Sequence, residues 1–359
     1  MKIQVLRAFN GDSILLSFED EGVNKNILID GGIGRTYKEK GKKGKIEYND
    51  LFNTIQTIRD NGEKIDLLIL THIDDDHIGG ILKWFTSDDK ALESIDKIWF
   101  NSGKTIQKFI AEVEEDNNVY TLEIHPESGE ETSVKQGVTF ESIIEKKNGL
   151  WDKKVIIAGD EIGELNLKFT ILSPGKSQLE KLLKAWGKEQ PESLETSGKH
   201  NDYELSLADH LKSNSWKEDN AIPNGSSIAF LMAYKEKSLL FLGDSHPSVI
   251  VESLKEKFAA SETNRIKAEV VKLSHHGSAH NNNLELLSLI DCDKFIVSTN
   301  GDKHFHPHKF LLAHLINQKP NCHIYFNYPE LLEQIFTEED YKDFPHFKAM
   351  GIDNGFTIN

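Results

Sequence analysis

Short apolar runs recur along the chain, and many of them end abruptly at an acidic residue, a histidine or a glycine. Alternating apolar and polar positions, or a short run buried on both faces, predict a strand, while clusters of glycine, asparagine and aspartate predict turns. The sequence therefore predicts strands at residues 3–9, 13–18, 26–29, 67–70, 97–100, 138–144, 155–158, 167–172, 227–233, 238–242, 270–273, 293–299 and 323–326. Helical spacing of apolar residues predicts helices at residues 51–58, 81–85, 105–113, 179–186, 249–258 and 309–316.

The two halves of the chain share one coarse order, with strands first and helices after. This order predicts an α/β protein in which two sheets lie face to face with helices outside, a four-layer αββα sandwich. A chain of 359 residues is long enough to bury such a core, and we expect a single domain over residues 1–359. Residues 176–220 break the β pattern with a polar stretch, which predicts an insertion or lid.

The predicted strand at residues 67–70 runs directly into a cluster of histidines and aspartates. His72, Asp74, Asp76 and His77 offer imidazole and carboxylate ligands within six positions. This mixture suits Zn, Mn or Fe better than Ca or Mg alone. A solvated acidic turn is the alternative, and these residue types at this spacing weigh against it. We therefore expect a metal site at the end of this strand.

Other apolar runs also end in groups that bind metals or support metal ligands. Asp30, Asp244 and His275 each follow a predicted strand. Ligands of a site between two sheets must converge from different strands, and a carboxylate such as Asp244 can bridge two cations about 3.5–4 Å apart. Asp30 either caps a loop backbone or supports a metal-binding histidine from behind, with a simple turn as an equal alternative.

The charge of the chain limits its partners. A formal net charge of −16 at pH 7 disfavours non-specific adhesion to nucleic acid or to an anionic membrane, although bound metal ions would add positive charge locally. Two cysteines are too few for a disulfide scaffold, and the first residues enter a strand pattern without an apolar leader. Since no apolar stretch approaches the length of a membrane span, we expect a cytoplasmic protein with no membrane contact.

One segment of this acidic chain is basic. It holds six cationic residues, Arg35, Lys38, Lys40, Lys42, Lys43 and Lys45. A solvated loop is the usual fate of such a charge run. The functional alternative is a flap over the site that grips phosphate, with Lys40, Lys42 and Lys43 as substrate-binding residues.

These motifs together resemble the metallo-β-lactamase superfamily, whose second motif reads His-x-His-x-Asp-His. The motif here is His72-Ile73-Asp74-Asp75-Asp76-His77, with Asp74 where most members carry the second histidine. The chain is most similar to the hydrolase domain of the DNA-uptake protein ComEC and its soluble relatives. That similarity rests on Gly11-Asp12-Ser13, Asn224-Gly225-Ser226-Ser227, Ser274-His275-His276-Gly277-Ser278 and His306-Pro307.

The resemblance implies a metallo-β-lactamase fold with two divalent metal ions, Mn or Zn. The implied ligands are His72 and Asp74 at the first metal, Asp76 and His77 at the second, Asp244 as a bridge, and His275 to complete a shell. Many relatives carry another histidine near Asn224. The amide carbonyl at that position is a weaker ligand, and the resulting oxygen-rich site favours Mn over Zn.

The resemblance also implies hydrolysis by a metal-activated hydroxide, which Asp76 would orient. His276 and His306 are expected to serve as general acid, phosphate contact or extra ligand. The branch favours a phosphodiesterase or nuclease acting on DNA or another phosphodiester, with Ser278 among the substrate-binding residues. A hydrolase of small esters, lactones or amides is the alternative. A non-catalytic regulatory protein with a structural metal is disfavoured by the carboxylates, and a protein partner is left open.

Overall fold

The strands of the protein assemble into two large sheets and two short strand pairs. The computed structural model describes residues 1–114, 133–186, 200–352 and 355–358. In chain order its strands are β1 (Lys2–Val5), β2 (Ile14–Asp20), β3 (Val23–Ile29), β4 (Lys38–Lys40), β5 (Ile46–Tyr48), β6 (Leu67–Ile69), β7 (Ile98–Trp99), β8 (Glu161–Glu164), β9 (Leu167–Ser173), β10 (Ala229–Tyr234), β11 (Lys237–Phe241), β12 (Ile266–Lys267), β13 (Val270–Lys272), β14 (Ile290–Asp291), β15 (Lys294–Val297), β16 (His323–Phe326), β17 (Lys348–Gly351) and β18 (Phe356–Thr357).

The first sheet has the strand order β18-β1-β2-β3-β6-β7, and the second has the order β17-β16-β15-β13-β11-β10-β9-β8. The chain enters each sheet through antiparallel hairpins and continues through parallel strands, β3-β6-β7 in the first sheet and β11-β13-β15-β16-β17 in the second. Parallel strands carry their carboxyl ends to one edge of the sheet, where binding sites of α/β proteins form. The short pairs are β4 with β5 and β12 with β14.

Helices connect the parallel strands, as parallel pairing requires. They are α1 (Gly34–Tyr37), α2 (Asp50–Asp60), α3 (Asp75–Phe85), α4 (Gly103–Glu114), α5 (Ser133–Ile144), α6 (Lys176–Trp186), α7 (Leu207–His210), α8 (Ile222–Gly225), α9 (Pro247–Phe258), α10 (Leu284–Ser288), α11 (Lys309–Gln318), α12 (Leu332–Ile335) and α13 (Glu338–Asp343). Short 3-10 turns lie at Lys42–Gly44, Ala91–Ser94, Ser274–Gly277 and Pro329–Leu331.

Three apolar cores separate four layers. The middle core joins the facing sides of the two sheets, with Leu16 of β2 and Phe230 of β10 in one cluster. A second core lies between the first sheet and its helices, including Ile81 of α3. The third lies between the second sheet and its helices, including Ile250 of α9 and Leu312 of α11. The predicted αββα sandwich is confirmed.

Two predicted strands in the middle of the chain are wrong. Residues 138–144, rich in β-branched side chains, belong to helix α5, because Gly137, Phe140 and Ile144 are buried at helical spacing. Residues 155–158 form no strand, because the side chain of Asn101 takes the place of a strand neighbour. Its Nδ2 donates to the carbonyl of Ile156, and its Oδ1 accepts from the amide of Ile156, both at 2.8 Å.

Helix α3 begins at Asp75, whereas the predicted helix begins at residue 81. Gly79 and Gly80 suggest a loop, but they are helical and allow a close approach of two backbones. A Cβ atom on Gly80 would lie 1.9 Å from the carbonyl oxygen of Gly31. The early start places Asp76 and His77 in the first helical turn, so local helix geometry fixes their spacing.

The predicted insertion or lid at residues 176–220 is described only in part, since residues 187–199 lie outside the described residues. Its flanks are packed: Trp186 and Leu207 are buried in the cores of the first and second sheets. Asp202 caps α11 by accepting the backbone amides of Lys309 and Phe310, each at 2.8 Å. The single domain and the lid stay predictions.

In the described part of the chain, every helix is too short or too polar to cross a membrane. The predicted compartment stays a prediction.

Candidate metal centre

Sheet register brings the acidic and imidazole groups of the second half together. Phe241 of β11 pairs with Lys272 of the parallel strand β13. Three residues beyond this pair the chain reaches Asp244 from one strand and His275 from the other. Because both strands point the same way, these residues leave the same edge of the sheet, opposite the turn that carries His72 in the first sheet.

Asp244 lies at the middle of the resulting cluster. Its Oδ2 atom is 3.3 Å from His77 Nε2, 3.7 Å from both His275 Nε2 and His276 Nε2, and 3.9 Å from His72 Nε2. One buried carboxylate therefore faces four imidazole nitrogens that arrive from both sheets.

Two further carboxylates complete the cluster. Asp76 Oδ2 is 3.6 Å from His276 Nε2 and also accepts from Asn10 Nδ2 at 3.1 Å. Asp74 Oδ2 is 3.7 Å from His72 Nε2, and its Oδ1 accepts from the hydroxyl of Ser133 at 2.5 Å. Acidic groups thus flank the histidines on both sides of Asp244.

Hydrogen bonds behind the histidines fix how three of the rings point. His77 Nδ1 donates to Asp30 Oδ2 at 2.7 Å, and His276 Nδ1 donates to the carbonyl of Ser298 at 2.9 Å. His72 Nδ1 lies 3.1 Å from Thr71 Oγ1, whose own proton goes to Asp30. With each Nδ1 engaged in this way, each Nε2 faces Asp244 and can bind a metal ion in place of a proton.

These inward-facing atoms have no hydrogen-bond partners within the described residues. The unpartnered buried atoms are the Nε2 atoms of His72, His77 and His276 and the Oδ1 atom of Asp244. Leaving buried polar atoms unpaired costs about 1–3 kcal/mol each, unless a ligand satisfies them. Lone pairs from imidazole and carboxylate are the donors that divalent Zn or Mn takes. The residues present therefore fit divalent metal ions.

Two of the possible ligand sets among the described residues contain His77 together with residues that face Asp244. One set combines His72, His77 and Asp244, and the other combines Asp76, His77 and His276, each with ligand atoms mutually within 4.8 Å. Asp12 also falls within this distance of His276 and Asp244. Neighbouring sets of this kind could hold two cations, with His77 Nε2 bound to one of them and a carboxylate such as Asp244 shared.

The cluster carries strong and opposed electrostatic effects. Burial, with His77 nearby, lowers the pKa of His72 to about 3. Burial and the charge of Asp76 raise the pKa of Asp74 to about 7. Burial disfavours the protonated form of His276, but the carboxylates of Asp244 and Asp12 prevail and raise its pKa to about 9. A divalent cation would take the place of the protons that this negative centre attracts.

Strained backbone accompanies the centre. Asp30, His275 and His276 have φ angles of 57°, 47° and 56°, in the left-handed region that residues with a Cβ atom seldom adopt. Such strain gathers at functional sites, where the surrounding structure holds it in place. The turn Ser274–Gly277 uses it to aim two consecutive histidines at Asp244.

Asp30 makes both kinds of contact that its position suggested. Its carboxylate accepts the backbone amide and the hydroxyl of Thr71, at 2.8 and 2.7 Å, as well as His77 Nδ1. It therefore stands behind the metal centre and outside its ligand set.

Other predicted site residues lie around the centre without joining the two ligand sets. Asn224 donates from Nδ2 to Asp219 Oδ2 at 2.7 Å, so its amide faces Asp219. His306 is buried, with its ring centroid 4.7 Å from that of His275. Ser278 is buried too, and its hydroxyl accepts from the amide of His280 at 3.2 Å within its own loop.

The basic segment forms a small hairpin. Lys40 ends β4, and Lys42 and Lys43 lie in the 3-10 turn that leads to β5; all three are exposed. Lys40 also borders a cleft beside α3, whereas Lys42 and Lys43 do not.

Sequence reasoning missed a buried charge pair behind His276. Lys272 Nζ pairs with Asp12 Oδ2, and Asp12 Oδ1 lies 3.2 Å from His276 Nδ1. In the sequence Asp12 looks like a turn residue. In the structure its backbone amide donates to the carbonyl of Asp76 at 3.1 Å, which places Asp12 beside the metal centre. A signal for Lys272 does exist, since it is a lone cation in the otherwise apolar strand β13.

The other omission is the group that holds His275. Asn281 Nδ2 donates to Asp219 Oδ2 and to the carbonyl of Asp244, both at 3.0 Å. This leaves Asn281 Oδ1 to accept from His275 Nδ1 at 2.8 Å. Asp219 lies in a polar stretch, and no local pattern marks it.

The family model of the Metallo-beta-lactamase superfamily matches residues 6–185, half of the chain. A search of curated proteins finds no match.

Several solved structures are similar to this chain. The isothiocyanate hydrolase from Delia radicum gut bacteria is 14% identical, with a TM-score of 0.38 over 100% of this chain and 99% of that one. Zn(2+)-bound PqqB from Methylobacterium extorquens is 12% identical, with a TM-score of 0.41 over 97% of this chain and 87% of that one.

A third similar structure, the CmlA beta-hydroxylase E377D mutant, is 12% identical with a TM-score of 0.39 over 100% of this chain. The chain spans about half of that protein, 53% of its length. At these identities and scores, none of the three bears on the substrate.

Proposed function

Because the chain belongs to the metallo-beta-lactamase superfamily, we propose that it is a phosphodiesterase or nuclease of the branch that the ComEC hydrolase domain represents. Membership of the superfamily supports metal-dependent hydrolysis in general. One observation carries the proposal to this chain: unpartnered imidazole nitrogens from both sheets converge on Asp244. A structural metal site would instead be closed by four Cys or His ligands.

We assign the ligands to two sets. His72 and Asp74 would hold a first cation, Asp76, His77 and His276 would hold a second, and Asp244 would be shared between the two sets. In this assignment His276 completes the ligand shell, whereas the family resemblance implies that His275 does so. The reason is that His276 is buried and shares a ligand set with Asp76 and His77, whereas His275 is partly exposed at the rim.

The first position is rich in oxygen ligands. Asp74 supplies a carboxylate where most relatives supply imidazole, and Asn224 is turned towards Asp219. Carboxylate oxygens are hard donors and suit Mn, whereas imidazole nitrogens are softer donors and suit Zn, so this ligand set favours Mn. Mn and phosphoryl oxygen are likewise a hard pair, which supports a phosphodiester substrate.

Bound divalent cations lower the pKa of water and offset negative charge that develops on a phosphoryl oxygen. The chain positions the other participants. Asn10 holds Asp76 Oδ2 by a hydrogen bond of 3.1 Å, which fixes the carboxylate that faces the second cation.

His275 is placed to move a proton. Because Asn281 Oδ1 accepts from its Nδ1, the Nε2 atom of His275 faces the centre, 3.7 Å from Asp244 Oδ2. From there a protonated His275 delivers its Nε2 proton to the departing oxygen, and His306 packs behind the ring.

The test is a metal-by-substrate screen of the purified protein. With Mn or Zn added, we expect bis-p-nitrophenyl phosphate and single-stranded DNA to be hydrolysed. Asp244→Ala should lower turnover about a thousandfold or more, ~4 kcal/mol of transition-state free energy, because it removes the group between both cations. Asp343→Ala, which removes an exposed carboxylate of α13, is the matched control and should keep full activity.

Wild-type protein that hydrolyses p-nitrophenyl acetate or a lactone, but no phosphodiester with either metal, would overturn the phosphodiesterase proposal in favour of the small-ester alternative. Full turnover by Asp244→Ala would remove the proposed role of the metal centre.

A further inference from the structure

A polar cleft of about 670 Å³ lies beside α3. Five cationic side chains line it, Arg35, Lys38, Lys40, Lys83 and Lys135. They come from four separate elements: α1, β4, α3 and α5. The fold therefore gathers positive charge that no single stretch of sequence contains.

Among the described residues, the acidic groups that line this cleft are fewer, and both are engaged. Glu39 lies 3.7 Å from the guanidinium of Arg35, and Asp75 accepts from Gln136 Nε2 at 2.6 Å. In a chain with a net charge of −16, a concave surface with an excess of cations is a local exception. Such a surface attracts an anion against the overall field of the protein.

The cleft adjoins the rim of the metal centre. Asp75 lines the cleft, while the next two residues, Asp76 and His77, face Asp244. On the other side, the guanidinium of Arg35 lies 4.0 Å above the ring of Phe9. The neighbour of Phe9 is Asn10, which donates to Asp76. The cleft and the centre therefore use neighbouring residues at the start of α3 and in the loop before β2.

We propose that this cleft binds the phosphates of a single-stranded nucleic acid that flank the phosphate at the metal centre. The inference rests on the proposed phosphodiesterase function and names the class of substrate. Lysine and arginine side chains neutralise backbone phosphates without reading sequence. The cleft, about 670 Å³, lies within the range of about 300–1,000 Å³ for small-molecule sites. A single strand is the proposed occupant, and equal binding of a duplex is the outcome that contradicts it.

The test compares two triple charge reversals. Lys40→Glu, Lys83→Glu and Lys135→Glu change the cleft. Lys2→Glu, Lys267→Glu and Lys342→Glu change the net charge equally at exposed positions that do not line it. Binding of a labelled single strand of about 15 nucleotides is followed by fluorescence anisotropy in EDTA, so that the strand is not cut.

We expect the cleft variant to bind the strand at least about tenfold more weakly than wild type at low salt. The slope of log affinity against log salt, between about 50 and 200 mM, should fall by about 2, since each lost phosphate contact on a single strand removes about 0.7. The control variant should keep the wild-type slope. A duplex of the same length should bind more weakly than the single strand.

Equal weakening in both variants would show a general charge effect and overturn the proposal, as would unchanged binding by the cleft variant or equal binding of the duplex. Hydrolysis of bis-p-nitrophenyl phosphate by the wild-type protein with added Mn separates this inference from the proposed function. Strand binding without any such hydrolysis would leave the cleft in place and remove the catalytic proposal.

Discussion

The two walls of the metal centre are built in different ways. The first-sheet wall consists of His72, Asp74, Asp76 and His77, which lie within six positions and are spaced by one turn and the start of α3. The second-sheet wall consists of Asp244, His275 and His276, which come from the ends of two neighbouring parallel strands. One wall depends on local backbone geometry and the other on sheet register.

The supports behind the two walls differ as well. In the first-sheet wall, the Asp30 carboxylate holds both His77 and Thr71. In the second-sheet wall, His276 is backed by the ion pair of Asp12 with Lys272, which ties the two sheets together across 260 positions of sequence. A substitution in the first-sheet wall should therefore weaken metal binding. A substitution behind the second-sheet wall should also lower the free energy of unfolding.

The largest expected effect distinguishes the role of His276 as a metal ligand from the role of His275 as a proton donor. His276→Ala should lower the bound metal from about two ions per chain to about one, because it removes a ligand of the second position. His275→Ala should keep both ions and lower turnover about a hundredfold, the usual contribution of a general acid. Metal analysis and hydrolysis of single-stranded DNA measure the two effects.

The leaving group adds a readout that a structural role would not change. Because p-nitrophenolate departs without taking up a proton, His275→Ala should hydrolyse bis-p-nitrophenyl phosphate at close to the wild-type rate while losing turnover of single-stranded DNA. Loss of one ion from His275→Ala, with full metal in His276→Ala, would restore the assignment implied by the family resemblance.

The next effect concerns the buried pair behind the second-sheet wall. Lys272→Met should lower the free energy of unfolding by about 3–5 kcal/mol, because Asp12 then stays buried and charged without its partner. Urea denaturation of the metal-free protein gives this value. Lys64→Met breaks an exposed pair with Asp96, both about half exposed, and should cost less than about 1 kcal/mol.

The double variant Asp12→Asn with Lys272→Met should recover part of the loss, because no uncompensated charge remains. A single variant as stable as Lys64→Met would contradict the idea that this pair joins the two sheets.

The contrast between the walls also explains what the sequence could predict. The first-sheet wall was visible because its residues are adjacent and follow an apolar run, and the resemblance to a known motif fixed their order. Asp244 and His275 were visible because each ends a predicted strand. The sequence predicts that Asp244 and His275 lie close together only because the ligands of one site must converge. The register of β11 and β13 explains why they do.

Features that depend on distant packing were not predicted. The start of α3 at Asp75 depends on the close approach of Gly80 to Gly31. Helix α5 replaces a predicted strand because burial follows helical spacing, which β-branched residues obscured. Asp12 with Lys272, and the cationic cleft, join residues from remote segments. A one-dimensional pattern holds no record of such contacts.

The smallest effect tests the support of the first-sheet wall. Asp30→Asn keeps the size of the side chain and one acceptor oxygen but cannot satisfy Thr71 and His77 Nδ1 together. Groups behind metal ligands contribute about 10–100-fold to metal affinity, and we expect a loss of this size for Mn. At saturating Mn, turnover should return to near the wild-type value, because Asp30 touches neither metal nor substrate. Metal titration of the chelator-treated protein measures the affinity, and an unchanged affinity would show that helix geometry alone holds His77 in place.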